Sequence, residues 1–524
     1  MMTTIERLAN RAADRPRLAA LLLGLLSASG FQPLGLWPLA LLGMGGFVLL
    51  LSRAKGWKQA MLWGWLFGWA HFTLGNNWIA TAFTHQAAMP AVLGWAAVPL
   101  LAIYLAVYPA LAAAGAFTLV RGRRAALIPA FAGAWIVTEW MRSWVFTGYA
   151  WNPFGMVFLG PFDRPGLAAL APIFGTYALS GLAVLVSGGL LFQAMHRRWL
   201  ASGLAVILLV AGMYWPAGKG EEGALALTVV QPHIVQARIN DLAFRQANYS
   251  RLSGLSTPAA EDRARLVLWP ESGLPDFLED GYPQRYYDRT TAFGSPAFAR
   301  ARIAQDIGET SLLLTGVTTL EIPQDRVTGA YVTVMAVDGE AQIRGRYDKA
   351  HLVPYGEYLP MRWLFEPLGL SRLVPGAVDF LPGPGPDTLH LGQFGNAGVQ
   401  ICYEIVFSGQ VVDRADRPDY LFNPSNDGWF GTFGPPQHFA QARMRAIEEG
   451  LPVLRSTTTG ISGVIDARGV VRAYLPTGAM DRIDTAVPPA LPPTLFARMG
   501  NTLPLIWAFV ILAIATIASR RRAG

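Results

Sequence analysis

The sequence predicts a multi-span α-helical membrane bundle joined to a water-exposed α/β layered domain. Only 15% of the 524 residues are charged, whereas soluble domains average about 25%. The shortage lies in residues 1–217, which hold four of the 35 acidic side chains and several apolar runs long enough to cross a bilayer. From about Lys219 the charge returns, and short β-branched runs alternate with helix-like segments, as in α/β folds.

Eight apolar segments are candidates for membrane-spanning helices. A span needs roughly 20 helical residues to cross a hydrocarbon core of about 30 Å. Seven segments precede the polar domain and one follows it, at about 18–31, 35–52, 59–80, 92–120, 125–143, 167–195, 199–217 and 501–519. The first two are short and share the turn Phe31–Gly35, so one re-entrant hairpin is the alternative interpretation.

Basic residues flank these segments in five clusters. The clusters are Arg7, Arg11, Arg15 and Arg17; Arg53, Lys55 and Lys58; Arg121, Arg123 and Arg124; Arg197 and Arg198; and Arg520, Arg521 and Arg522. With eight spans all five clusters lie on one side, and Lys and Arg concentrate in cytoplasmic loops. This predicts an N-terminal transmembrane domain at 1–217, an outward-facing domain at 218–498, and a final helix with a basic cytoplasmic tail at 499–524. The net charge of +7 comes largely from these anchors, so no nucleic-acid partner is inferred.

The outward domain is predicted to alternate strands and helices. Short apolar or β-branched runs bounded by Gly, Pro, Asn or Asp indicate strands. The predicted strands are Leu225–Val230, Leu266–Trp269, Ser311–Thr315, Tyr331–Val337, Ala341–Arg346, Ala397–Ile401 and Tyr420–Asn423. Helix-like segments lie at Pro296–Ile307 and Gln437–Glu449, and the Pro/Gly-rich segment Pro375–Pro386 is a surface connection that could act as a mobile lid.

Cys402 is the only cysteine of the chain. A single cysteine excludes an intramolecular disulfide and a multi-cysteine metal site, which leaves a buried thiol or a nucleophile. Two more polar residues follow predicted strands: Glu271 comes after Leu266–Trp269, and Lys349 comes after Ala341–Arg346. A thiol nucleophile, a carboxylate base and an ammonium that stabilises an oxyanion together suffice for acyl transfer. Singly, each residue is more simply a core thiol or a surface charge, but their joint occurrence at strand ends predicts a catalytic set.

These strand ends resemble the active-site motifs of the nitrilase superfamily of carbon–nitrogen hydrolases, over about residues 224–485. The resemblance implies an α-β-β-α sandwich with a Glu-Lys-Cys triad. Taken with the multi-span half, the chain is similar to the bacterial apolipoprotein N-acyltransferases within that superfamily. Further matching motifs are Glu139–Arg142, Gly148–Asn152, Asn423–Phe430, Gly434–His438, Arg443–Glu448 and Thr459–Ser462.

The resemblance implies a role for each residue that matches a family motif. Glu271 is implied as the general base, Lys349 as the oxyanion stabiliser and Cys402 as the nucleophile, with the backbone N–H of Tyr403 as a second oxyanion donor. Supporting or substrate-binding roles are implied for Glu357, Tyr403 and Glu404.

Two positions depart from the family pattern. The family often places an aromatic residue after the motif of the first strand, but Gln231–Gln236 leads here to Asn240. The family's usual Asn-Thr-Gly is Thr458-Thr459-Gly460. Neither departure falls on the triad. Both are expected to affect local contacts with the substrate.

The implied activity is a two-step acyl transfer at the outer face of a bacterial inner membrane. Cys402 would take a fatty acyl group from a membrane phospholipid as a thioester and pass it to the α-amine of the diacylglyceryl-cysteine of an apolipoprotein. No cofactor or metal is implied, because His233, His351, His390 and His438 lack ligand spacing. The chain is expected to be a monomer, since it has no coiled-coil seam.

Three other functions are consistent with parts of the sequence. A membrane-tethered amidase or nitrilase would share the triad but transfer its acyl group to water, and it would need one span rather than eight. A transporter would explain the spans but not the triad. A degenerate, non-catalytic lipoprotein-binding protein would have no need of intact triad residues. Tryptophans of the membrane half, including Trp78 and Trp151, are interpreted as belt and packing residues, with an acyl-chain groove as the alternative.

Overall fold

The fold is seen in a computed structural model, which describes residues 14–85, 90–120, 124–218, 220–239, 241–258, 263–365, 367 and 379–520. Several sequence predictions fall outside these residues. They are the departure at Asn240, residues 375–378 of the expected lid, and the basic residues Arg7, Arg11, Arg121, Arg123, Arg521 and Arg522.

The described residues up to Tyr214 fold mainly into helices. The helices are α1 Pro16–Ala28, α2 Trp37–Leu51, α3 Trp57–Gly75, α4 Ile79–Ala82, α5 Leu93–Leu105, α6 Val107–Val120, α7 Arg124–Arg142, α8 Ala171–Met195 and α9 Trp199–Tyr214. The last described helix is α17, Thr502–Arg520. In the described part of the chain, Leu93–Val120, Leu167–Met195 and α17 are long and apolar enough to span a membrane, while α1, α2 and α9 are shorter apolar helices.

The predicted spans at 18–31 and 35–52 form two separate short helices. Helices α1 and α2 have 13 and 15 residues, so each is only about 20 Å long. Both the re-entrant hairpin and a pair of short spans fit this geometry.

Small residues let the membrane helices pack closely. Gly64 and Gly68 lie one turn apart on α3, and a Cβ atom at either position would lie within 3.0 Å of α6 or its start, against Ala110 or Ala106. Small residues at such spacing let the backbones of two helices approach each other closely. In a membrane this close packing matters because no hydrophobic effect drives helices together. The last described helix, α17, packs against α7 and α8, so it belongs to the same bundle as the helices before Tyr214.

Two six-stranded sheets form the polar domain. The strands are β1 Ala226–Gln231, β2 Arg265–Leu268, β3 Ser311–Glu321, β4 Gly329–Asp338, β5 Ile343–Asp348, β6 Thr388–His390, β7 Asn396–Val399, β8 Tyr420–Ser425, β9 Val453–Thr457, β10 Ser462–Ile465, β11 Val471–Leu475 and β12 Asp481–Ala486. The first sheet has the order β12-β1-β2-β3-β4-β5, and the second has the order β11-β10-β9-β8-β7-β6. In both sheets the central strands are parallel and the edges are antiparallel.

The sheets pack face to face, and helices cover their outer faces. One buried cluster joins residues of both sheets, such as Leu268 and Leu314 with Val399 and Phe422. The remaining helices are α10 Gln236–Ile239, α11 Arg245–Gly254, α12 Gln284–Thr290, α13 Pro296–Ile307, α14 Arg362–Phe365, α15 Gly434–Glu449 and α16 Leu495–Met499. Helices α11 and α13 cover the first sheet, and α15 covers the second.

Helix α15 has a second buried face that contacts the membrane bundle. Ala442 and Ala446 pack into the sandwich core, whereas Met444 and Ile447 belong to the same buried cluster as Phe158 of the membrane half. The sandwich is therefore joined to the bundle through a buried helix. The predicted α-β-β-α sandwich is confirmed, while the domain limits at 217 and 498 stay predictions.

Candidate active site

Glu271 lies in the loop directly after β2. Pro270 ends the strand because proline has no N–H for the ladder, and its carbonyl accepts a hydrogen bond from the Gly316 N–H at 3.1 Å. A Cβ atom at Gly316 would lie 2.5 Å from the Cα atom of Glu271. The absence of a side chain at Gly316 thus lets the Glu271 backbone lie directly against β3.

Lys349 is fully buried between two carboxylates. Its Nζ atom lies 2.7 Å from Glu357 Oε1 and 3.3 Å from Glu271 Oε1. Each carboxylate is held at its second oxygen by a backbone N–H at 2.8 Å, from Val353 on Glu357 and from Asn426 on Glu271. Two carboxylates therefore contact the ammonium, and backbone N–H groups that follow strands of the two sheets hold those carboxylates in place.

The described part of the expected lid binds the lysine backbone. The Gly383 N–H donates to the Lys349 carbonyl at 2.8 Å, and the Leu381 N–H donates to the Ala330 carbonyl at the same distance. A Cβ atom at Gly383 would overlap the backbone of Asp348. Residues 379–386 are therefore an anchor of the lysine loop.

Burial and the charges around Lys349 shift the pKa values of the neighbouring ionisable groups. Burial alone would lower the pKa of Lys349, but Glu357 and Glu271 outweigh it and hold that pKa above its ordinary value. Burial raises the pKa of Glu357, and Lys349 partly offsets the rise. Burial also raises the pKa of the Cys402 thiol well above its ordinary value; the charge of Glu271 adds to the rise and Lys349 opposes it. The thiol is therefore protonated at neutral pH and needs a base.

Cys402 has a left-handed backbone conformation at the end of β7. Its φ is 51°, which costs a non-glycine residue about 1–2 kcal/mol. The side chain is 5% exposed, and the chain then enters a 3₁₀ turn, Cys402–Val406. Residues with a strained backbone are concentrated at active sites, where the surrounding structure holds them in that conformation.

Glu404 joins the lysine loop to the nucleophile turn. Its Oε1 accepts hydrogen bonds from the N–H groups of Ala350 and His351 at 2.8 and 3.0 Å, and from the Tyr347 hydroxyl at 3.0 Å. Its Oε2 accepts from the Ile401 N–H at 2.7 Å. Burial raises the pKa of Glu404 to about 7, and the backbone N–H donors limit the rise. The Glu404 side chain thus bridges the lysine loop and the nucleophile turn.

Tyr403 faces the membrane half. Its hydroxyl donates to the Gly148 carbonyl at 3.5 Å, and its ring stacks on Trp151 with centroids 6.5 Å apart. Trp151 also contacts the rings of His438 and Phe430 at 5.3 and 5.7 Å. Trp151 is 1% exposed, so it is a buried link to the catalytic domain rather than a residue of an aromatic belt.

Thr458 is linked to Glu271 of the triad through one intervening residue, Asn426. Its hydroxyl donates to Asn426 Oδ1 at 2.9 Å, and Asn426 Nδ2 donates to Gln236 Oε1 at 2.7 Å. The backbone N–H of Asn426 is the group that holds Glu271. The role of Asn426 depends on its main chain and was not predicted from the sequence.

Metal binding has no candidate site in the part of the chain that the structure describes. No group of three or more His, Cys, Asp or Glu side chains there is arranged to hold a metal ion.

The two halves match two family models. Residues 23–189 match the apolipoprotein N-acyltransferase N-terminal domain, and residues 227–491 match the carbon–nitrogen hydrolase family. An apolipoprotein N-acyltransferase of Rhodopseudomonas palustris is 33% identical over 96% of this chain and 95% of its own. That of Bradyrhizobium diazoefficiens is 34% identical over 96% and 94%. The chain belongs to the apolipoprotein N-acyltransferase family.

Other matches have lower sequence identity. The apolipoprotein N-acyltransferase of Vibrio cholerae is 29% identical over 96% of this chain and 97% of its own. Among solved structures, a mutant of the Nesterenkonia AN1 amidase from the nitrilase superfamily is 20% identical, with a TM-score of 0.36 over 52% of this chain and 94% of that one.

These matches confirm the predicted family and fold class. They also confirm the predicted enzyme class, which is an acyltransferase of the nitrilase superfamily. The structure brings together all six predicted site residues, Glu271, Lys349, Glu357, Cys402, Tyr403 and Glu404. Their individual roles in this apolipoprotein N-acyltransferase family member stay predictions.

Proposed function

We propose that the protein transfers a fatty acyl chain from a membrane phospholipid to the α-amine of a diacylglyceryl-cysteine at a lipoprotein N-terminus. The observation that carries this proposal is the Lys349 ammonium between the Glu271 and Glu357 carboxylates, next to a protonated, strained Cys402. The nucleophile turn packs against the membrane bundle through Tyr403 and Trp151, and this contact supports lipid substrates.

In the first step, the Glu271 carboxylate takes the proton of the Cys402 thiol as sulfur attacks the ester carbonyl of the phospholipid. The Lys349 ammonium and the Tyr403 N–H donate to the oxyanion that forms. The carbon–oxygen bond to glycerol then breaks, Glu271 returns the proton to the departing oxygen, and a lysophospholipid leaves an acyl thioester on Cys402.

In the second step, the acceptor α-amine attacks the thioester. Glu271 takes a proton from the amine, the carbon–sulfur bond breaks, and the Cys402 sulfur is protonated again. Because both substrates are lipids, we place the sandwich on the outer face of the bacterial inner membrane, where the basic clusters orient the bundle. We propose that the protein acts as a monomer.

Intact-mass analysis of the purified protein with phospholipid tests both steps. We expect a mass gain of one acyl chain that hydroxylamine removes, because thioesters react with this amine. A peptide with a free diacylglyceryl-cysteine N-terminus should discharge the adduct and become acylated on its α-amine. The same peptide with an acetylated N-terminus should not.

The single cysteine provides a matched control for this experiment. Protein pretreated with N-ethylmaleimide can be modified on a thiol only at Cys402 and should gain no acyl chain. The absence of any adduct in untreated protein would refute the proposal. An adduct that water discharges as fast as the free-amine peptide would favour the tethered hydrolase instead.

Gly316→Ala should lower the rate of acyl transfer about 10²-fold, because its Cβ would displace the Glu271 backbone and a shift of about 1 Å has an effect of that size. Gly345→Ala in β5 of the same sheet is the control, because the nearest atom to its Cβ, on Leu389, lies 3.5 Å away. Steady-state kinetics of the two purified variants checks this prediction. Equal rates for the two variants would show that the close contact between the Glu271 backbone and β3 is unimportant for acyl transfer.

A further inference from the structure

The carbonyl group of Cys402 is held by two buried side chains. His438 Nε2 lies 3.0 Å from this oxygen, and Asn423 Nδ2 lies 3.4 Å from it. Both side chains are fully buried. His438 comes from α15 and Asn423 from β8, so the second sheet and its covering helix both hold the nucleophile turn.

Arg455 and Asp427 surround the other ring nitrogen of His438. Arg455 Nη2 lies 2.8 and 2.9 Å from the two Asp427 carboxylate oxygens and 3.0 Å from His438 Nδ1, and Nδ1 also lies 3.0 Å from Asp427 Oδ1. Burial, followed by the charge of Arg455, lowers the pKa of His438, and Asp427 opposes this fall. The Cys402 carbonyl oxygen can only accept a hydrogen bond, so Nε2 carries a proton and donates it to this oxygen.

The same hydrogen bond sets the direction of the Tyr403 N–H. The Cys402–Tyr403 peptide is planar and trans, so its C=O and N–H groups point to opposite sides. With the C=O anchored towards His438, the N–H points away from α15. Among the residues that the structure describes, this N–H has no hydrogen-bond acceptor. It is therefore available to an oxyanion that forms at Cys402.

We propose that His438 is a positioning residue: by binding the Cys402 carbonyl it holds the left-handed nucleophile turn and aims the Tyr403 N–H at the oxyanion. The inference rests on the proposed function, because it needs an oxyanion at Cys402. Arg455 and Asp427 act one step further back, by holding the His438 ring at Nδ1.

The variants H438Q and H438M separate this role from simple packing. Their side chains have similar length, but only the glutamine amide can donate to Cys402 and accept from Arg455. We expect H438M to form the acyl thioester about 10²-fold more slowly than wild type, the size of effect that one oxyanion donor has, with KM for phospholipid changed less than about threefold. H438Q should stay within about tenfold of wild type. H390M, at a histidine whose side chain is 63% exposed, should match wild type.

Infrared spectra of the acyl-enzyme made with a ¹³C-labelled carboxyl carbon give a second readout. Hydrogen bonding lowers the stretching frequency of a carbonyl, so wild type and H438Q should show a lower thioester frequency than H438M. A packing role alone would leave this frequency unchanged. Rates and frequencies that are equal in H438M and wild type, or an H438Q rate as low as that of a folded H438M, would overturn the inference.

The proton on Nε2 can be detected in the wild-type protein, which keeps the inference testable if H438M does not fold. The ¹⁵N NMR signals of His438 should report a protonated Nε2 at pH 7. A ring protonated on Nδ1 alone would overturn the inference. Failure of wild type to form any thioester would refute the proposed function instead, so the two failures are distinguishable.

Discussion

Replacing Cys402 by alanine should abolish the acyl thioester and lower acyl transfer by about 10⁴-fold or more, as loss of a catalytic nucleophile does. The thiol is the only group at the strained turn that can carry the acyl chain between two lipids. Cys402→Ser should also be inactive, because an alcohol is a far weaker acid than a thiol, and Glu271 and Lys349 are arranged around a thiol. Radiolabelled acyl transfer from phospholipid to a diacylglyceryl peptide measures the loss.

The backbone at Cys402 provides an internal control for folding. Since φ is 51°, glycine should fit this position better than alanine, and Cys402→Gly should be more stable than Cys402→Ala by about 1 kcal/mol. Thermal unfolding of the two inactive variants tests this order. Activity retained in either variant would refute the nucleophile assignment, and a more stable alanine variant would refute the strain assignment.

Replacing Lys349 by methionine should both inactivate and destabilise the protein. The variant loses an oxyanion donor, which alone lowers the rate about 10²–10³-fold. It also leaves two buried carboxylates without their cation, and breaking a buried pair in this way costs about 3–5 kcal/mol. Arg289→Met, at an exposed cation of the same domain, should keep the wild-type rate and stability.

The stability of Lys349→Met should depend on pH in a defined direction. Lys349 lowers the pKa of Glu357 in wild type against the effect of burial, so removing it raises that pKa further. A carboxyl whose pKa is higher in the folded state stabilises the fold at low pH and loses this contribution as pH rises through the folded pKa. The difference in Tm between the variant and wild type should therefore be larger at pH 8 than at pH 5. A pH-independent difference would contradict the buried-carboxylate explanation.

Thiol reactivity gives a separate check on the same variant. Without the ammonium, the pKa of the Cys402 thiol should rise further, because the charge of Lys349 opposes the effects of burial and Glu271. Alkylation of this only cysteine by iodoacetamide at pH 8 should be slower in Lys349→Met than in wild type. Faster alkylation would show that Lys349 shields the thiol rather than stabilising its anion.

The sequence by itself predicted seven strands that are rich in β-branched or apolar residues, but it missed the buried strands β9 and β10. The predicted Ser311–Thr315 and Tyr331–Val337 are the cores of β3 and β4, and α13 has the predicted bounds. The strands it did not predict include β11 and β12, whose residues are partly exposed and charged. Such edge strands are defined by their pairing partners, which a local pattern does not contain.

The sequence also determined the chemical groups of the site, because a lone thiol, an acid and a lysine each follow an apolar strand. Only the tertiary structure decided which groups hold them. The Asn426 N–H on Glu271 and the His438 ring on the Cys402 carbonyl come from residues 155 and 36 positions away in the chain. Their roles depend on main-chain direction and on the orientation of a buried ring, and neither is encoded in local residue pattern. Trp151, similarly, became a neighbour of the nucleophile only when the bundle and the sandwich packed together.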